Sequence, residues 1–168
     1  GEELDQKYLL DLETGLIEVS QFLAKAIARD GEGSNCLIEI RVEGTRSSED
    51  AIQIARTIAS SSLVKTAING MDPNWGRIIA ALGRSGVEVD LKQVSLWFGP
   101  YQLMRNGEPV SFSRQEVSDY MKDKMKGRYL IDDTISICLR LGEGSFSGLA
   151  WGCDLSDEYV RINADYTT

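Results

Sequence analysis

The chain has 168 residues, 42% of them hydrophobic, with 26 acidic against 18 basic side chains and a formal net charge of -8. That length fits a single domain over residues 1–168 with a core of its own, and the charge balance, with no basic stripe, excludes a nucleic-acid binder. There is no histidine, so Ser–His–Asp and Cys–His catalysis are excluded within this chain. Any proton transfer falls to a carboxylate, lysine, tyrosine, terminal amine or water.

Residues 1–11 are acidic and weakly patterned and read as a loose arm. From Leu16 the spacing turns helical, with Leu16, Val19, Leu23, Ala26 and Ile27 on one face and Gly31 as the C-terminal stop. "NCLIEIRVEG" alternates Cys36, Ile38, Ile40 and Val42 with Glu39, Arg41 and Glu43, a strand with one wet face. "SSEDAIQIARTIASS" is a helix capped by Ser47 or Ser48, with Ala51, Ile54, Ala55 and Ile58 as its stripe. "SLVKTAI" is a short apolar run that suggests a buried strand. "DPNWGRIIAALGRSG" suggests a helix with Asp72 as cap and Pro73 in the first turn.

"VEVDLKQVSLWFG" reads as a strand, and "NGEP" from Asn106 as a turn. "SRQEVSDYMKDKM" has capping-box spacing from Ser113 to Glu116, with Val117, Met121 and Met125 inward. In "IDDTISICLRLGEGSFSGLAWGCDL", Ile131, Ile135, Ile137, Leu139 and Leu141 share one side of a strand. A glycine turn and a second strand follow, which predicts a hairpin. "SDEYVRINADYTT" closes with a short helical turn and a tail. The fold class is therefore α/β of mixed α+β type, a sheet covered by helices.

Cys36, Cys138 and Cys153 are odd in number and match no metal spacing. They read as small buried residues in a reduced, cytosol-like compartment, and neither metal nor organic cofactor is expected. No run approaches the ~20 apolar residues of a membrane span.

Four stretches are candidates for chemistry. In "DGEG" a carboxylate, Glu32, sits between two glycines just past a helix C-terminus, where partial negative charge disfavours it. It is either a solvated turn residue or a site. Glu143 in "LGEGS" is most simply a hairpin residue. "DPNWGR" lacks the Gly-Lys-Ser/Thr of a phosphate loop; Trp75 reads as a core or interface aromatic and Arg77 as the partner of an acid. "NADYTT" ends the chain in amide and hydroxyl groups.

"ARDGEG", "SSLVKTAI", "DPNWGRIIAALGRSG" and "AWGCDLSDEYVRINADYTT", in this order, resemble the C-terminal, or beta, chain of the ornithine acetyltransferase (glutamate N-acetyltransferase) family of arginine biosynthesis, over roughly residues 16 to 168. The resemblance implies a cytoplasmic enzyme that moves acetyl from N2-acetylornithine to glutamate, and in some members also uses acetyl-CoA. The precursor cleaves itself before a threonine that becomes the nucleophile. An alpha chain from the same precursor completes the sheet and supplies the oxyanion hole, with an alpha2beta2 heterotetramer as the assembly.

Carried over residue by residue, Glu32, Asn163 and Thr168 resemble substrate-binding positions. No catalytic residue is assigned within this chain, whose sequence lacks the threonine segment, and Ser34-Asn35 replaces the family's frequent Ala-Thr-Lys. Two other readings remain open: a non-catalytic scaffold of the same lineage, and a related self-cleaving amidohydrolase or aminopeptidase in which water replaces glutamate.

Overall fold

A computed structural model describes residues 6–165. Six helices surround one six-stranded sheet. In chain order they are α1 (Gln6–Arg29), β1 (Leu37–Thr45), α2 (Ser48–Ala59), α3 (Ser62–Asn69), α4 (Trp75–Gly83), β2 (Ser95–Phe98), β3 (Tyr101–Arg105), β4 (Glu108–Pro109), α5 (Arg114–Met125), β5 (Thr134–Arg140), β6 (Phe146–Cys153) and α6 (Asp157–Ala164). The strand order is β4-β3-β2-β5-β1-β6. β1 runs parallel to β5, and every other neighbouring pair is antiparallel. The expected mixed α/β class holds.

Side-chain alternation decides which face of the sheet is covered. Ile38, Ile40 and Val42 of β1 and Ile135, Ile137 and Leu139 of β5 are buried together with Ala51, Ile54, Ala55 and Ile58 of α2. Gly148 and Gly152 let β6 approach α2 closely: a Cβ at Gly148 would meet the Ile52 nitrogen at 2.6 Å. Glu39, alternating with Ile38 and Ile40, points to the opposite face. There its carboxylate accepts from Trp151 Nε1 at 2.9 Å and lies 3.6 Å from Lys25 Nζ of α1. α1 therefore crosses the second face at the β1–β6 corner.

Several local expectations change. Residues 6–11 are not a loose arm but the first turns of α1. The stripe Leu16, Val19, Leu23, Ile27 is helical as expected, yet α1 buries none of its residues. "SLVKTAI" is helix α3, because Val64, Ala67 and Ile68, at i, i+3 and i+4, are its buried set; a short apolar run cannot be told from a strand by composition. The cap of α4 is Asn74, whose Oδ1 accepts from the Arg77 amide at 3.2 Å, and not Asp72.

"VEVDLKQVSLWFG" is strand only over Ser95–Phe98, since Asp90 caps an intervening 3-10 turn, Leu91–Gln93. β3 and β4, unanticipated, flank a turn at Asn106 and Gly107, which take φ 49° and 80°, so that the last two residues of "NGEP" are strand. β5 and β6 form no hairpin: β1 lies between them, and the 141–145 loop carrying Glu143 crosses its end. Ile131 is exposed and lies outside β5. Cys36 is buried, but Cys138 and Cys153 are only half-buried; all three are free thiols. No described helix is long and apolar enough to cross a membrane.

Candidate active site

The segment between α1 and β1 is held by two acids that are themselves buried. At the end of α1, Arg29 spreads its guanidinium over four acceptors. Nε donates to Asp133 Oδ2 at 2.6 Å, Nη1 to the Ser34 carbonyl and hydroxyl oxygens at 3.1 and 2.8 Å, and Nη2 to the Asn35 carbonyl at 3.0 Å. Asp133 is fully buried and also accepts from the Leu130 amide. Charge-assisted bonds of this type are stronger than neutral ones and geometrically selective.

Asp154, just past β6 and 2% exposed, holds the other side. Its Oδ1 accepts from the Asn35 and Cys36 amides at 2.7 and 3.1 Å, and its Oδ2 from Asn35 Nδ2 and Asn69 Nδ2 at 3.0 and 2.8 Å. One carboxylate thus joins the segment after "DGEG", the end of "SSLVKTAIN" and the start of "DLSDEYV". The nearby Cys36 thiol is driven far above its usual pKa, first by burial and then by the negative charge of Asp154.

Two residues later Ser156 caps α6. Its hydroxyl accepts from the Tyr159 amide at 3.3 Å and donates to the Gly33 carbonyl at 2.7 Å. Gly33 has φ +69°, and a Cβ there would stand 2.9 Å from Ser156 Oγ, Glu158 Cβ and the Tyr159 nitrogen. Glycine is required by both backbone and space.

This docking brings two of the three sequence-assigned positions together. Asn163 Nδ2 donates to Glu32 Oε2 at 2.8 Å and to the Tyr159 carbonyl at 2.9 Å. Both side chains are exposed, and Glu32 Oε1 and Asn163 Oδ1 make no further hydrogen bond within the described residues. An ammonium carries three donors and suits such a pair of acceptors. Thr168 lies outside the described residues.

The two glycines seat the turn that carries Glu32: Gly33 packs against the start of α6, and Gly31 lies against Cys153 of β6. Asp154, Arg29 and Asp133 were missed in the sequence, because buried charge interrupts no periodic pattern. The signals available were an Arg next to "DGEG" and an Asp closing an apolar strand. Among the described residues no group of three or more His, Cys, Asp or Glu is placed to hold a metal ion.

The ArgJ family's sequence profile matches residues 2–168. The chain belongs to the ArgJ family. It is 66% identical to the arginine biosynthesis bifunctional protein ArgJ of Prochlorococcus marinus (strain NATL2A), and 59% identical to that of strain MIT 9313. The matches cover all of this chain and 40% and 39% of those proteins. The chain therefore spans about two fifths of the length of these relatives. The crystal structure of the ArgJ protein from Bacillus halodurans superposes with a TM-score of 0.89 at 41% identity, over 99% of this chain and 75% of that one. The family resemblance read from the four motifs holds, and so does the mixed α/β class.

Proposed function

We propose that this chain is the beta-chain part of a glutamate N-acetyltransferase of arginine biosynthesis, with Glu32 and Asn163 as its contacts to the amino-acid substrate. In this reading a threonine outside the chain attacks the acetyl carbonyl of N2-acetylornithine. The C–N bond breaks, the proton goes to the departing amine, and the acetyl group remains on the threonine oxygen. The amine of glutamate then attacks that ester, restores the threonine hydroxyl and leaves as N-acetylglutamate. Two acyl transfers replace one difficult step, and no cofactor is consumed. Acetyl-CoA is a second acetyl donor in this scheme. Glu32 offers its carboxylate to the cationic side-chain amine of ornithine, and Asn163 holds that carboxylate in place; Thr168 adds a third contact.

The observation that carries the reading is the Asn163–Glu32 hydrogen bond at 2.8 Å. It joins two positions that the family likeness assigns to one ligand and that the chain separates by 131 residues. Both are exposed, so the site is one lip of a pocket. We assign the other lip, and the cover of the apolar α1 stripe, to an alpha chain from the same precursor in an alpha2beta2 assembly.

The test is an acetyl-transfer assay on the complete protein, with N2-acetylornithine and with or without glutamate, followed by mass spectrometry of threonine peptides. Glutamate-dependent release of ornithine with a trapped acetyl-threonine is expected. Acetate release that ignores glutamate would give the site to a hydrolase, and no turnover of either kind would give the chain to a scaffold.

A further inference from the structure

At the junction of α3 and α4 the structure holds a second constellation, remote in chemistry from the acid–amide pair. A cavity of about 290 Å3 is lined by Ser61, Ser62, Leu63, Arg77 and Arg84, with alanine side chains of α4. No acid lines it, in a chain whose net charge is -8. We infer that this cavity binds a phosphoryl group, as free phosphate or as part of a nucleotide.

Arg77 was expected to pair with an acid. Instead its Nη1 donates to the Leu63 carbonyl at 2.8 Å and to Thr66 Oγ1 at 3.1 Å, which fastens the guanidinium across the first turn of α3. Nε and Nη2 keep their donors. A structural staple between the two helices accounts for Nη1 and leaves the rest of the fork unused. Arg84, at the C-cap of α4, has no ion pair among the described residues and reaches the same cavity.

Ser61 supplies the independent indication. It is 5% exposed and occupies the N-cap position of α3, yet its side chain makes no capping bond. Its hydroxyl has no hydrogen-bond partner among the described residues. An N-cap serine ordinarily accepts from a first-turn amide, and this one leaves its hydroxyl available. No side-chain nitrogen or oxygen in the described residues is both fully enclosed and unpaired, so this hydroxyl keeps an opening, and Ser61 is one of the residues that line the cavity. The uncapped start of α3 adds the positive end of the helix dipole and its first-turn N–H groups.

Two guanidiniums, two hydroxyls and a helix N-terminus all present donors. A phosphoryl group has enough acceptor oxygens to meet them and the double charge to pair with both arginines. Arg77 belongs to "DPNWGR", the motif to which the acetyl-transfer reading gives no catalytic role.

The experiment is a calorimetric titration of the complete protein with inorganic phosphate and, separately, with ADP. Saturable binding of at least one is expected, weakened about tenfold or more in Arg84→Gln, as for loss of a charged hydrogen bond. Ser61→Ala should weaken it severalfold, and Arg105→Gln should leave it unchanged. Tighter ADP than phosphate identifies the source as a nucleotide, and the reverse as free phosphate. Absence of saturable binding by either probe, or binding indifferent to both Arg84→Gln and Ser61→Ala, overturns the inference. Because the readout is binding and not acetyl transfer, its failure leaves the catalytic proposal untouched, and the converse holds too.

Discussion

Asn163 and Glu32 meet through a single hydrogen bond of 2.8 Å at the surface, one from the last described helix and the other from the turn after the first. An exposed bond between polar side chains adds little to stability, so its consequence is position. We expect Glu32→Gln to leave the melting temperature of the complete protein within a degree or two, since surface changes cost roughly 0.5 kcal/mol or less. The same change removes the negative charge and should lower kcat/KM for N2-acetylornithine on the order of tenfold to a hundredfold. Asn163→Ala should lower it less. Steady-state kinetics and a thermal melt on the same samples check both halves. Unchanged kinetics in Glu32→Gln would remove the residue from the site.

Asp154 is different in kind, being 2% exposed and accepting four hydrogen bonds, with no cation among the described residues bonded to it. Asp154→Asn keeps the shape but puts an N–H2 group against donors. The expected loss is about 3 kcal/mol, the range for unsatisfied groups around a buried charge. Asn69→Ala removes one donor only and should cost roughly 1 kcal/mol. Urea denaturation measures both. Amide exchange at Asn35 and Cys36 should accelerate in Asp154→Asn beyond what Asn69→Ala produces. Equal small losses would mean that water replaces the carboxylate.

α1 exposes Leu16, Val19, Phe22, Leu23 and Ile27 together. Contiguous apolar surface of this kind marks an interaction site or an aggregation liability. The 168-residue chain alone should self-associate with rising concentration, and Leu23→Glu, at the centre of the stripe, should shift it toward monomer. Analytical ultracentrifugation reads this directly. A monomer at all concentrations would mean that the stripe needs no cover.

Much of this fold was legible because its core follows simple periods. β1 alternates from Ile38 to Glu43, α2 carries its apolar residues at helical spacing, and α5 is capped by Ser113, whose hydroxyl accepts from the Glu116 amide. Failures occurred where local sequence is ambiguous and tertiary pairing decides. Val64 to Ile68 is too short for its period to show, so α3 read as a strand. The 141–145 stretch has the glycines of a hairpin, yet Ile40 pairs with both Ile137 and Ala150, which places β1 between the two strands. No local pattern reports a strand inserted from 100 residues away. In the site, Glu32 and Asn163 came from family likeness. Asp154 and Asp133, which hold the segment, were not assigned because their partners, the Asn35 and Cys36 amides for Asp154 and the Arg29 guanidinium for Asp133, are brought near only by the fold.

Cys36 makes that buried electrostatics measurable. Its thiol is fully buried, and burial together with the charge of Asp154 pushes its pKa far up, with Arg29 opposing. In the unfolded chain a cysteine releases its proton near pH ~8.5. Above that value the unfolded state loses a proton that the folded state retains. The unfolded chain then binds fewer protons, and stability falls as pH rises, by up to about 1.4 kcal/mol per pH unit from this group. Below the unfolded pKa the full stability is present. Half-buried Cys138 and Tyr120 are shifted in the same direction, also chiefly by burial, so the contribution of Cys36 is isolated by substitution. Cys36→Ala should flatten part of the decline between pH 8 and 10 in urea denaturation, while costing some packing at every pH. In the native protein Cys36 should also resist iodoacetamide, because the reactive form is the thiolate, whereas Cys153 at the sheet edge reacts first. Rapid native alkylation of Cys36 at neutral pH would show that the Asp154 junction opens far more readily than its four hydrogen bonds imply.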